Sequence, residues 1–195
     1  NALYLQDVRG FSPLYAGLLT LPMAAMTALL PPISGRLVAR SGTRLPLVIG
    51  GLGIAASGFL LLTLDIDTPL LLVGAAYVVF GIGFGMINAP ITNTAVSGMP
   101  LAQAGVAAGV ASTSRQVGSA LGVAVLGSLV TAQLGASLTT GFAEAARPAW
   151  IVVIGCGLTV LVLGLVATTS WARSTAQRTA ERFEAPPTPA AAAVS

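Results

Sequence analysis

Histidine and lysine are both missing from the 195 residues, and cysteine occurs once, at Cys156. Without histidine there is no imidazole base, no histidine-ligated metal site and no Ser-His-Asp triad. A single thiol forms no internal disulfide. Charge is scarce as well: 8% of residues are charged and 6% aromatic, against 55% apolar, whereas a soluble domain carries about 25% charged residues. Such a chain cannot cover its surface with polar groups, which argues against a soluble enzyme. The net charge of +3 comes from nine Lys+Arg, all of them Arg, against six acids. These arginines sit in clusters along the chain rather than in a patch for phosphate, so no nucleic-acid partner is expected. No metal set and no cofactor motif is present. The lipid bilayer is the expected solvent.

What is there is long apolar runs. A transmembrane helix needs about 20 mostly apolar residues, and five stretches qualify: 13–35, 45–64, 69–93, 101–131 and 148–170. Pro13, Pro46, Pro69, Pro100 and Pro148 stand at or near their first residues. There the ring presets the helical φ, and the missing amide hydrogen has no helical partner to lose. Ser12 precedes the first of them as an N-cap. The sequence therefore predicts an all-α bundle over 1–171, with five full spans preceded by the end of a sixth helix at Ala2-Leu3-Tyr4-Leu5. The first residue is Asn and no signal-peptide pattern follows it, so the chain reads as a piece of something longer. Residues 172–195 form a tail whose Pro186-Pro187-Thr188-Pro189 and alanine run bury no core, and disorder is expected there.

Arginines orient the bundle. Arg36, Arg40 and Arg44 lie between the first and second spans, and Arg173, Arg178 and Arg182 follow the fifth. Four crossings separate the two groups, so both face one side, cytoplasmic by the positive-inside rule. Trp150 and Trp171 bracket the last span at interface depth. The expected location is the inner cell membrane, multi-pass, with the C-terminus in the cytoplasm.

Arg115 alone among the ionisable residues lies deep in a span, about ten residues or roughly 15 Å beyond Gly105. A guanidinium at that depth costs several kcal/mol unless paired or wet. Ser112, Arg115, Gln116 and Ser119 share one helix face, a stripe that reads as pathway lining. The alternatives are snorkelling of Arg115 to the interface, or bonding to helix carbonyls that locks the bundle. The third span carries a second line: Tyr77, Gly81, Phe84, Asn88 and Thr92. Pro90 donates nothing to the Met86 carbonyl, so released backbone there either meets solute or permits bending; Asn88 and Thr92 equally suit interhelical glue. Gly81/Gly85, Gly105/Gly109 and Gly118/Gly122 are GxxxG pairs that permit close helix approach. With small faces on two sides, the fourth span is expected between two neighbours. None of the six acids lies in a span core, so a complete proton pathway is not expected within these residues.

At this point a family resemblance emerges. Tyr4-Leu5-Gln6, Gly10-Phe11-Ser12-Pro13-Leu14-Tyr15-Ala16-Gly17 and Leu21-Pro22 resemble the junction between the first two helices in the C-terminal half of a major facilitator superfamily transporter. The resemblance is to the fourteen-helix drug:proton antiporter branch. Gly35-Arg36-Leu37-Val38-Ala39-Arg40-Ser41-Gly42-Thr43-Arg44 is similar to the family's short cytoplasmic loop motif, with Ala39 where Asp is usual. That departure removes the carboxylate of the family's gating relay and leaves the basic members Arg36, Arg40 and Arg44. Ala104 to Gly109, Thr113-Ser114-Arg115-Gln116-Val117-Gly118 and Leu121-Gly122-Val123-Ala124 resemble the penultimate helix of the branch.

The resemblance implies the last five of fourteen helices, with the N-terminal half as partner and bearer of the titratable carboxylates. It implies alternating access by rocking of two halves, with an amphipathic organic solute exported against protons. Few charges and modest aromatics favour neutral or cationic apolar solutes. The rival readings are a superfamily transporter for a metabolite or sugar, and a non-transporting membrane scaffold.

Overall fold

The computed structural model describes residues 4–63, 68–96, 101–133, 138–169 and 174. A π-helical turn, Tyr4–Val8, precedes five helices: α1 Pro13–Ser41, α2 Arg44–Leu62, α3 Leu70–Val96, α4 Leu101–Gln133 and α5 Leu138–Ala167. No strand occurs among the described residues, so the molecule is all-α. Among the described residues, four helical stretches are long and apolar enough to cross a membrane: Pro13–Ser41, Arg44–Leu62, Leu70–Val96 and Ala145–Ala167. Helix α4 carries Ser112, Thr113, Ser114, Arg115, Gln116 and Ser119 in its middle. Trp171 and the tail beyond 172, apart from Ser174, lie outside the described residues.

Local chemistry sets several boundaries. Ser12 Oγ accepts from the Tyr15 amide at 3.3 Å, and Pro13 opens α1. Two expectations need correcting. Pro148 does not begin a helix: α5 starts at Leu138, carried upstream by the helix-favouring Ala143-Glu144-Ala145-Ala146 run. The loop expected around Gly35, Arg36, Arg40, Gly42 and Arg44 shrinks to Gly42 and Thr43. Gly35, Arg36 and Arg40 belong to α1, and Arg44 is the first residue of α2. Gly42 ends α1 because its φ of 77° is open to glycine at little cost, and its amide donates to Val38 O at 2.9 Å.

Packing runs through glycines, in the spatial order α1, α3, α2, α5. Gly81 and Gly85 of α3 lie against Met23, Met26 and Leu30 of α1. Gly83 lies against α2, where an added Cβ would sit 2.7 Å from the Ile54 amide nitrogen and 2.9 Å from Gly50 O. Helix α2 meets α5 through Gly51 and Gly157. In lipid no hydrophobic force drives helices together, so such close approach is what binds them. Among the described residues, helix α4 touches α5 and α3 only, and none of its described side chains is buried. Its two neighbours do not meet it through its GxxxG faces. Gly105, Gly109, Gly118 and Gly122 have nothing within 4 Å of a built Cβ, since small residues allow close approach without supplying a partner.

A buried apolar cluster lies at one end of the bundle, while Leu47, Ile54, Met86 and Ile87 are buried farther along α2 and α3. Tyr4 and Leu5, from the π-helical turn, dock with Ala16 of α1, Leu61 of α2, Val73, Ala76 and Tyr77 of α3 and Ala146 of α5. Trp150 packs against this cluster. The arginine-bearing ends of α1 and α2 lie at the other end, where the helices leave a cavity.

Candidate functional site

The site grows out of a proline. Pro90 sits inside α3 and has no amide hydrogen for the carbonyl four residues back. The Met86 carbonyl thus freed accepts instead from Ser34 Oγ of α1, at 2.6 Å, in a fully buried contact. A neighbouring hydroxyl is one of the ways a membrane helix tolerates proline. The released backbone is therefore bound to α1, and Ser34 is the residue that sequence reasoning missed. Its only signal was a hydroxyl next to Pro31-Pro32 in an apolar run.

Just beyond this contact, α3 turns its polar residues toward α4. Arg115 Nη1 donates to Asn88 Oδ1 at 3.0 Å, and Asn88 Nδ2 donates to the Phe84 carbonyl at 3.0 Å. The amide orientation follows from chemistry, because a guanidinium only donates and must face the oxygen. Thr92 Oγ1 donates to the Asn88 carbonyl at 3.1 Å. These groups line a cavity of about 780 Å³, whose wall continues with Ala89, Asn93 and Val96 of α3 and Pro31, Gly35 and Val38 of α1. Arg115 thus reaches from α4 across to an amide on α3.

The other expected residues disperse. Ser112, Gln116 and Ser119 are exposed on α4 and do not line this cavity. Tyr77 is a correction: it is buried in the core at the opposite end, 1% exposed, and its hydroxyl has no hydrogen-bond partner among the described residues. The eleven residues from Tyr77 to Asn88 amount to roughly 16 Å of helix, and α1 covers the intervening Gly81 and Gly85. Gly35, expected in a loop, lines the cavity instead. A smaller apolar pocket of about 340 Å³ lies between α2, α3 and α5, with Leu47, Ile91 and Leu163 in its wall.

Acidic residues are placed elsewhere: none of the six lies on α1, α2, α3 or α4. The cavity therefore joins one permanent cation, a set of neutral amides and hydroxyls, and apolar walls, and its volume lies within the range of about 300–1,000 Å³ for small-molecule sites.

A model of the Major Facilitator Superfamily matches residues 2–123. The chain belongs to the Major Facilitator Superfamily. It is 38% identical over 135 residues to the multidrug resistance protein Stp of Mycobacterium tuberculosis, covering 69% of this chain and 25% of that protein. To the tetracenomycin C resistance and export protein of Streptomyces glaucescens it is 37% identical over 145 residues, 74% of this chain and 27% of that one. To the drug efflux pump JefA of Mycobacterium tuberculosis it is 35% identical over 143 residues, with 72% and 28% covered. The chain thus spans about a quarter of the length of these relatives. Family membership and the four apolar helices together make this superfamily member a multi-pass membrane protein.

Proposed function

We propose that the chain is the C-terminal portion of a fourteen-helix drug efflux transporter, a carrier rather than an enzyme, that exports an amphipathic organic solute in exchange for protons. The carrying observation is the Arg115–Asn88 hydrogen bond at a drug-sized cavity between α1, α3 and α4. The names of the relatives, each a drug resistance or export protein, support the same reading. In it, Arg115 and Asn88 form a polar point on the cavity wall, and Thr92 holds the turn after Asn88. The Pro90 break gives α3 a bend that Ser34 holds against α1. Gln116, Ser112 and Ser119, exposed on α4, face the half of the transporter outside this chain. The glycine faces of α4 do likewise, packing on helices of that half. Proton-titrating carboxylates reside there too, as α1 to α4 carry none. All five helices cross the membrane, α4 included, because the rest of the protein shelters its polar face.

The test is efflux by the full-length protein. Arg115→Ala should cut export of amphipathic drugs about tenfold, the order expected from a hydrogen bond to a charged group of about 1.5–3 kcal/mol. Immunoblotted protein in the membrane should remain at the wild-type level. Unchanged export would remove Arg115 from the solute path.

Orientation in the inner membrane has its own check. In a Cys156→Ser background, Ser41→Cys and Ala176→Cys should react with an impermeant maleimide from the cytoplasmic face, and Ile66→Cys from outside. Reaction of the Ile66 and Ala176 sites from one face would refute the topology.

A further inference from the structure

We infer that the cavity is an oxyanion site: the guanidinium of Arg115, positioned by Asn88, takes a carboxylate or comparable oxyanion borne by an amphipathic solute. The inference rests on the efflux reading for the identity of the site and goes beyond it in naming the charge class of its ligand. It also reverses the expectation, drawn from the low charge content, that neutral or cationic solutes are preferred.

The first support is charge. Arg115 is the one ionisable residue on the cavity wall, and no acid lies on α1 to α4 to neutralise it. On a wall that also carries Pro31, Val38 and Val96, a lone cation attracts an anion and repels a second cation. The second support is the direction of the hydrogen bonds. A guanidinium carries five donors and no acceptor, and one donor is engaged by Asn88 Oδ1. That bond uses the side-chain oxygen of Asn88, while Thr92 turns its hydroxyl hydrogen to the Asn88 carbonyl. Four of the five guanidinium N–H donors of Arg115 remain beyond the bond to Asn88, beside Thr92 and Asn93, which both donate and accept. Oxyanions match such a surface, because two carboxylate oxygens can accept from one guanidinium. The third support is rigidity. Asn88 is fixed on both sides, by Phe84 O and by Arg115, so the guanidinium is held before the ligand arrives and less ordering remains to be done on binding.

One chemistry has two sources here. The oxyanion belongs to the solute, as inferred, or to a carboxylate elsewhere in the full-length protein. Three probes sharing one ring and chain separate them: 1-pyrenebutyrate, 1-pyrenebutanol and pyrenebutyl-trimethylammonium. Their binding to the full-length protein in zwitterionic nanodiscs is read by fluorescence anisotropy, with empty nanodiscs subtracted. The butyrate should bind about tenfold tighter than the butanol, equivalent to about 1.4 kcal/mol, and the ammonium probe weakest of all. Arg115→Gln should abolish the preference, and Arg115→Lys should keep its sign. Asn88→Asp should also abolish it, by placing a carboxylate against the guanidinium.

Equal affinities in the wild type, or a preference for the ammonium probe, overturn the inference. If a protein carboxylate is then the partner, Arg115→Gln raises the affinity for the ammonium probe by leaving that carboxylate unpaired. An unchanged preference in Arg115→Gln overturns it too. Should Arg115→Gln not elute as the wild type does, Arg115→Lys and Asn88→Asp decide. Charge preference without any drug export would sink the efflux reading and leave this one standing; export without charge preference would do the reverse.

Discussion

Replacing Gly157 by valine is expected to separate α5 from α2 and leave little folded protein. A Cβ at Gly157 would lie 2.5 Å from the Ala55 amide nitrogen and 2.9 Å from Gly51 O. Both atoms belong to the backbone of α2, so no rotamer change relieves the clash, and the helices themselves must part. Overpacking a tight core costs about 1–3 kcal/mol. Here the upper end or more is expected, because parted helices in lipid lose the dispersion contacts that hold them together and gain no hydrophobic compensation. Gly155→Val is the matched control. It adds the same side chain to the same helix, yet a Cβ at Gly155 meets nothing within 4 Å. Thermal unfolding of both variants in detergent is the measurement. Gly155→Val should stay near the wild-type midpoint while Gly157→Val falls well below it or is lost as aggregate, and equal midpoints would refute the close approach.

That contrast also shows where sequence patterns lose their force. Helices were legible because a run of apolar residues next to a proline reports on its own backbone. Contacts between helices were not, because they depend on a register that no single helix encodes. Gly81/Gly85 does face a neighbour, whereas Gly105/Gly109 and Gly118/Gly122 carry the same motif and meet nothing in this chain. Two close backbone approaches pair glycines of different helices, Gly83 with Gly53 and Gly157 with Gly51, and no spacing within one segment announces them. The polar residues behave alike. Asn88 and Arg115 each stood out alone, as an amide beside a proline and a cation deep in an apolar span. Their bond joins residues 27 apart in sequence, and only the docking of α4 on α3 creates it. Tyr77 shares a helical face with Asn88, yet periodicity does not say which stretch of that face another helix will cover. Packing of Tyr4 and Leu5 against the same cluster decides that Tyr77 is core.

Ser34 and Pro90 make a prediction that neither residue makes alone. Ser34→Ala should lower stability by about 1–3 kcal/mol, the cost of leaving a buried acceptor unsatisfied. An ordinary interhelical hydrogen bond in a membrane is worth only about 0.6 kcal/mol, because the separated partners find other bonds. The Met86 carbonyl differs, since Pro90 has already removed its helical donor and its bond to Ser34 is buried from solvent and lipid. Pro90→Ala restores an amide that can donate to that carbonyl. In the Pro90→Ala background, Ser34→Ala should therefore cost no more than the ordinary interhelical value. The difference between the two costs isolates the coupling, and any void left by the smaller side chain at position 90 cancels within the cycle. Thermal or denaturant unfolding of the four proteins in one detergent supplies the numbers. If Ser34→Ala costs the same with proline or alanine at position 90, the hydroxyl is not standing in for the missing amide.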